Sequence, residues 1–277
     1  MNNVNAALEK EFPKLTVFGE SWVNSAVANA YFTQNNITAP FKHNAKGMLD
    51  FQTCFAMLAG MNEKFDWLTG VNKIYTTLSQ DVLYKDPMNN CIFLDNHDMD
   101  RVFSVIDEDW KKMKMGFNWL MTLRGIPQIY YGTEVLMKNK KVNSDATVRE
   151  DFPGGWADDK ENDNRFNKQG RSDKQEEAFG YLSTLANFRK NSSAITSGKT
   201  MQFISKEGFY IYFRYDAKQT VMVITNTGDK AVKPDWSAYA ERITGFTQVK
   251  NVVSGKIKPL NGLEIESKES FVFELLK

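Results

Sequence analysis

At 277 residues the chain is long enough for one large domain or two modest ones. Hydrophobic residues make up 42% and charged residues 25%, an ordinary globular balance. The formal charge of +1, with Lys and Arg scattered rather than striped, gives no attraction for nucleic acid or anionic lipid.

Residues 1–20 lack the charged start and long apolar run of a secretory signal, and no later run approaches membrane-spanning length. As read, the chain is cytoplasmic, or exported if a signal is encoded upstream of Met1. Val4, Ala7, Leu8 and Phe12 form one face of a helix that Pro13 stops. The apolar run Leu15-Thr16-Val17-Phe18-Gly19 then ends in Glu20-Ser21-Trp22. A short helix is expected over 24–34, a strand over 47–51, and helices over 52–60 and 65–83 before the turn at Asp86-Pro87.

A second buried strand, 91–95, ends in Asn96-His97-Asp98; it is too short and bulky for an amphipathic helix. Asp109 is placed to cap a helix carrying Met113, Phe117, Leu120 and Met121, which Gly125 ends before a strand over 126–131. Cys54 and Cys91, inside a helix and a strand, read as buried free thiols, and two thiols with two distant histidines are too few for a metal site. This alternation implies a parallel sheet with helical crossovers.

Residues 133–172 are poor in apolar side chains, and a loop that long reads as functional. Asp173 is expected to cap a helix to about Lys190 with Phe179, Leu182, Leu185 and Phe188 on its inner face. From about Ile195 the period changes to two: 208–215 and 220–225 read as strands paired around Asp216 to Gln219, and 270–275 closes the chain. Short strands with frequent turns imply an antiparallel β-sandwich. The expected domains are 1–192, helical and parallel, and 193–277, all-β.

Carboxylates at two strand tips, Glu20 and Asp98, with the aromatic Trp22 beside the first, suit cleavage of a glycosidic bond. One acid must hold a proton for the leaving oxygen, and apolar neighbours raise the pKa that this requires. The plainer alternative is a pair of solvated loop carboxylates.

Phe18-Gly19-Glu20-Ser21-Trp22, Phe93-Leu94-Asp95-Asn96-His97-Asp98 and Gly125-Ile126-Pro127-Gln128-Ile129-Tyr130-Tyr131-Gly132-Thr133-Glu134 resemble three successive signatures of the α-amylase family. Arg149-Glu150-Asp151-Phe152-Pro153-Gly154-Gly155-Trp156 is similar to its cyclomaltodextrinase and neopullulanase branch. The resemblance implies strands five to eight of a (β/α)8 barrel followed by a C-terminal β-sandwich, and retaining hydrolysis of α-glucosidic bonds in starch-like glucans or cyclodextrins. It implies Glu20 as general acid/base and Asp98 as transition-state stabiliser. His97, Asp145 and Arg149 would hold the sugar ring, with Trp22 as a stacking aromatic. Asn96, Tyr131 and Trp156 complete the expected substrate-binding set, Asn96 and Tyr131 with purely structural alternatives.

The family's Gly-x-Arg-x-Asp, whose Asp is the nucleophile, has no counterpart. Arg149/Asp151, Arg171/Asp173 and Arg214/Asp216 are preceded by Thr147, Gln169 and Tyr212, and all lie after Glu20. The chain is therefore expected to begin after the fourth barrel strand and to be inactive alone. It would act when a missing N-terminal half complements it, or pair with itself. Two non-catalytic alternatives stand beside this: an α-glucan-binding remnant, and an interaction module. No cofactor is expected; calcium is a possibility only through oxygen ligands of the acidic cluster Asp158–Asp163.

Overall fold

The computed structural model describes residues 1–277. Helix α1 (Asn2–Glu11) leads to strand β1 (Phe18–Gly19), helix α2 (Ala26–Tyr31), strand β2 (Gly47–Met48) and helices α3 (Phe51–Asn62) and α4 (Asn72–Leu78). Strand β3 (Cys91–Ile92), helices α5 (Val102–Val105) and α6 (Trp110–Thr122), and strand β4 (Ile126–Pro127) follow. β1 pairs with β2 and β3 with β4, both parallel, and a parallel bridge from Leu49 to Cys91 joins the two pairs. The outer edges of β1 and β4 have no partner strand. These are four consecutive parallel strands of a barrel, as the alternation of apolar runs and helical periods implied.

The strands are shorter than expected. Ile126 donates to the Asn90 carbonyl and Gln128 to that of Ile92, both at 2.8 Å, so Pro127 between them turns its nitrogen to the open edge of β4, where no partner asks for an amide hydrogen. The helix expected over 65–83 begins only at Asn72, because the Asp66–Thr69 turn and Gly70, with φ of 64°, break the chain first. A 3₁₀ turn over Ser79–Leu83 completes it. Asp109 does cap α6, accepting from the amides of Lys111 and Lys112.

Helix α7 (Asp173–Asn191) corrects two expectations. Ser172, not Asp173, is its cap, in a reciprocal capping box with Gln175. Ala178, Leu182 and Leu185 are buried, while Phe179 lies 38% exposed with the Arg171 guanidinium 4.2 Å from its ring. A cation resting on an aromatic face offsets the exposure of that ring.

After helix α8 (Ser193–Thr196) come strands β5 (Lys199–Gln202), β6 (Phe209–Tyr215) and β7 (Thr220–Asn226), helix α9 (Ala240–Ile243), and strands β8 (Gln248–Asn251), β9 (Ile257–Pro259) and β10 (Glu269–Leu276). They form one antiparallel sheet in the order β5-β6-β7-β10-β8-β9. Alternation divides β6 between two layers. Tyr210 and Tyr212 join the core shared with α6 and α7, while Phe209, Ile211 and Phe213 pack under Ile243, Leu260, Leu263 and Ile265.

α6 is the shared wall. Trp119 is fully buried and its indole N–H donates to Thr225 at 3.1 Å; Asn118 donates to Ser270 at 3.0 Å. Arg189 of α7 donates to the carbonyls of Met121, Leu123 and Gly125, satisfying the open end of α6. Gly125 itself has φ of 108°, and a Cβ there would lie 2.7 Å from the Asn90 oxygen. The chain can therefore turn into β4 only with glycine at that point. The sheet thus braces the β3–β4 side of the barrel half from behind.

Candidate active site

Parallel strands deliver their carboxyl ends to one edge, and the expected residues gather there. Glu20 follows β1 directly and is solvent-exposed. Trp22, 52% exposed, stacks on Phe51 at 4.4 Å, and Phe51 meets Phe93 edge-on at 5.0 Å. These rings tie the tips after β1, β2 and β3 into one floor.

After β3 the chain turns sharply. Asn96 is buried, and its Oδ1 accepts from the Asp98 amide at 2.9 Å. That Asx turn sets the direction in which His97 and Asp98 leave the strand. Asp95, also buried, accepts from the Val102 amide at 2.9 Å and the Thr133 hydroxyl at 3.0 Å, clamping both ends of the turn to the tip of β4. Burial pushes the Asp95 carboxyl up to about 6, against the opposing pull of those hydrogen bonds and of Arg101.

Asp98 is the hub. Its Oδ1 accepts from Arg149 Nη2 at 2.5 Å, and its Oδ2 lies 3.3 Å from His97 Nε2. Arg149 Nε donates to the His97 carbonyl at 2.8 Å, and Nη2 reaches Asp145 Oδ2 at 3.1 Å. The four-residue spacing of Asp145 and Arg149 is bridged by a 3₁₀ turn, Asp145–Val148. Lys141, which sequence reasoning missed, joins Asp145 at 2.5 Å and the Asp98 carbonyl at 3.1 Å. The Lys141 ammonium holds the Asp145 carboxyl below its usual range. Only its position in a long loop marked Lys141, and lysines in loops are common.

Tyr131 is 39% exposed and its hydroxyl donates to the Glu150 carbonyl at 2.6 Å, anchoring the long loop beside the site. Arg101 lies near Asp95 and Asp100 in sequence, but its charge is not solvated between them. It is 1% exposed, with its guanidinium 3.9 Å from the Tyr130 ring and Nη1 donating to the Tyr131 carbonyl at 2.5 Å. The tyrosine pair offered it a flat, desolvated berth that a carboxylate in water does not. Asn96 Nδ2, Arg101 Nη2 and Glu134 Oε2 are buried without a protein partner, so the floor of the site has hydrogen-bonding capacity left for water or ligand.

The structure thus brings His97, Asp98, Asp145 and Arg149 into direct contact. Asn96 and Tyr131 support them, and Glu20 and Trp22 lie at the same edge. Trp156 stands apart, on the loop beyond Arg149, with its side chain 62% exposed. Nowhere do three His, Cys, Asp or Glu side chains converge as a cation would need, the acidic stretch Asp158–Asp163 included.

Four parallel strands whose carboxyl ends present Glu20, an Asp98 carboxylate held by Arg149 beside His97, and exposed aromatics define half of a (β/α)8 barrel with a candidate site at its strand tips. Comparison with known proteins identifies which. Residues 1–165 match the family model for the alpha amylase catalytic domain, and residues 200–274 match that for the cyclo-malto-dextrinase C-terminal domain. The chain belongs to the α-amylase family of glycoside hydrolases.

It is 28% identical to a cyclomaltodextrin glucanotransferase of Geobacillus stearothermophilus over 211 residues, 76% of this chain and 26% of that protein. An alpha-amylase of Niallia circulans is also 28% identical, over 70% of this chain and 32% of its own length. The chain therefore spans about a quarter to a third of these relatives. Among solved structures, the alpha-amylase of Geobacillus thermoleovorans in complex with acarbose superposes with a TM-score of 0.74 at 16% identity, over 100% of this chain and 56% of that one. A cyclomaltodextrin glucanotransferase with three domains gives 0.68 at 22% identity, over 100% and 53%. At such identities these matches establish the shared fold.

Proposed function

We propose that this chain supplies the acid/base, the transition-state stabiliser and the sugar-orienting residues for retaining cleavage of α-glucosidic bonds in starch-like glucans or cyclodextrins. Glu20 protonates the departing glycosidic oxygen and then activates water. Asp98 stabilises positive charge at the anomeric carbon, and its hydrogen bond from Arg149 fixes the carboxylate plane. His97 and Asp145 meet the hydroxyls of the same ring, and Trp22 stacks on a neighbouring one. The observation that carries this reading is the Asp98–Arg149–Asp145 chain with His97 beside it, on the same strand edge as Glu20.

The reaction also needs a carboxylate nucleophile about 5–5.5 Å from the acid. It would come from strands added at the free edge of β1, either within one longer polypeptide or from a separate chain. The 277 residues alone are then inactive: without a covalent nucleophile, several powers of ten in rate are lost. Self-pairing through the open edges of β1 and β4 is the competing association.

The test is reconstitution with a polypeptide carrying the first four strand–helix units, followed by assays on cyclodextrin, pullulan and starch. Hydrolysis is expected from the mixture and from neither part, and Glu20→Gln should lower it by about 10²–10⁴-fold. A well-folded mixture that hydrolyses none of the three sinks the catalytic reading. A non-catalytic α-glucan binder is the second reading, favoured by the contacts of Asp98 with His97 and Arg149, and of Arg149 with Asp145, all made within this chain. Glucan binding by that inactive mixture would leave it standing.

A further inference from the structure

The segment that leaves the tip of β4 runs back along the chain that leaves β3. Leu136 makes the turn with φ of 58°, a left-handed conformation held by its buried side chain. Lys138 Nζ then bonds both oxygens of the Glu108 carboxylate, at 2.7 and 2.8 Å. Asp107 and Glu108 themselves have φ of 58° and 57°, and such a pair persists only where its surroundings fix it. The Arg101 amide donates to the Asn139 carbonyl at 3.1 Å, and the Lys141 amide to Asp100 Oδ1 at 2.6 Å. Residues 138, 139 and 141 thus meet 108, 101 and 100 in antiparallel order, as a strap across the base of the hub.

Lys141 ends that strap beside Asp145. Its Nζ lies 2.5 Å from Asp145 Oδ1 and donates to the Asp98 carbonyl at 3.1 Å. Asp145 Oδ2 takes Arg149 Nη2 at 3.1 Å, and the same Nη2 bonds the Asp98 carboxylate at 2.5 Å. Each oxygen of Asp145 therefore has its own cation, and each cation is also tied to Asp98. Lys141 is the one group bonded to Asp145 Oδ1. Without it the carboxylate, 41% exposed on a single 3₁₀ turn, would be free to swing about its bond to Arg149.

We infer that Lys141 is a positioning residue, which holds the Asp145 carboxylate in one orientation towards the sugar ring engaged by Asp98 and His97. This inference rests on the α-glucan reading above. An acceptor fixed before the ligand arrives loses no rotamer freedom on binding, so its bond to a hydroxyl counts in full. The charged groups around Asp145 are Lys141 on the strap, Arg149 after the 3₁₀ turn, and His97, Asp98 and Asp100 on the turn after β3. The hydrogen bond from Lys141 is the largest cause of the lowered carboxyl pKa, with Arg149 and His97 adding to it. The same ammonium therefore keeps Asp145 ionised as well as aimed.

The test is calorimetric titration of the full 277-residue chain with maltotriose across about pH 4–8, alone and with the polypeptide carrying the first four strand–helix units, while carbon NMR follows the Asp145 carboxyl. Lys141→Met should weaken maltotriose about tenfold at neutral pH, yet melt within a few degrees of wild type because the lost pair is exposed. On acidification its affinity should fall away at a higher pH than that of wild type, and the Asp145 signal should titrate higher with it. Lys141→Arg, which keeps the charge, should recover most of both effects. Lys138→Met removes an ion pair of the same strap away from Asp145 and should leave affinity and pH profile unchanged. Wild-type affinity and profile in Lys141→Met overturn the inference and leave the α-glucan reading intact. Equal losses in Lys141→Met and Lys138→Met, with the Asp145 signal unmoved, mark the strap as a general brace and also overturn it. No maltotriose binding by the wild type, alone or with the added polypeptide, overturns both the inference and the α-glucan reading.

Discussion

Asp98 stands on a turn whose supports are buried on every side, whereas Glu20 follows a strand with one edge bare. β3 is backed by α6, α6 by the antiparallel sheet, and Asp95 clamps the turn to the tip of β4. Residues 1–46 contribute nothing to the three buried clusters, and α1 has no buried residue at all. Val4 and Phe12 are exposed instead, and so are Leu15, Val17, Phe18 and Phe41, which line a cavity of about 340 Å³ between α1 and β1. The contrast teaches that the placement of Asp98 and its partners is set by this chain's own core, whereas that of Glu20 follows a strand whose outer edge is unpaired.

Hydrogen exchange breaks or sharpens that comparison most directly. Local opening ranges from near zero to the global stability of about 5–15 kcal/mol, so amides of β1 should exchange at least about 10³-fold faster than those of β3. Equal protection in the two strands would remove the contrast. A polypeptide that adds strands to the β1 edge should raise protection there and leave β3 unchanged.

Next in size is the anchor between α6 and β4. Arg124 is buried and donates to Asp50 at 2.7 Å and to Asp81 at 2.7–2.9 Å, joining the cap of α3 to the turn after α4. Arg124→Met leaves the buried Asp50 and the partly buried Asp81 carboxylates without their partner, and denaturant unfolding should show a loss of about 3 kcal/mol. The β3 amides should lose protection with it. Replacing all three charged residues by apolar ones of matching volume should recover most of the loss, which separates the penalty of an unpaired charge from the net worth of the network.

How much of this was legible in the sequence follows the same division. The β3 tip was readable because a buried strand must be apolar and Asn96-His97-Asp98 interrupts that run abruptly. β6, β7 and β10 were readable as short runs rich in β-branched and aromatic residues set between turns. The cap of α7 was misplaced because Ser172 and Asp173 are both good capping residues and only Gln175, three positions after Ser172, decides between them. Arg101 was not legible, since its partners are the Tyr130 and Tyr131 rings and the Tyr131 carbonyl, distant in sequence; Lys141 stands four residues from Asp145, but its reach to the Asp98 carbonyl across 43 residues was not legible.

Asp95 offers a smaller, pH-resolved effect. Its folded pKa of about 6 lies above the unfolded value near 3.9, so between those values the folded state binds more protons. The stability it contributes is complete below about pH 4 and is lost as pH rises through 6, a change of about 3 kcal/mol. Asp95→Asn keeps an acceptor for the Val102 amide and has no such titration. The difference between wild-type and Asp95→Asn unfolding free energies should therefore shift by about 2 kcal/mol between pH 4 and 7, with the wild type relatively less stable at pH 7. A difference independent of pH would mean that Asp95 is solvated and that the turn is not clamped as tightly as its burial implies.

The smallest expected effect is on stability at the hub itself. Lys141, Asp145, Arg149 and Asp98 form a chain of ion pairs, but their side chains are 28–43% exposed. Pairs of that kind contribute at most about 1 kcal/mol. Arg149→Ala should therefore melt within a few degrees of wild type while its affinity for maltooligosaccharides collapses. This separates two uses of arginine in one chain: Arg124 holds the fold because its charge is dry and cannot be left alone, and Arg149 orients a carboxylate that water already tolerates. A loss above about 2 kcal/mol in Arg149→Ala would place the long loop within the structural core. The preset order at Asp98 would then come from that loop as much as from the sheet behind β3.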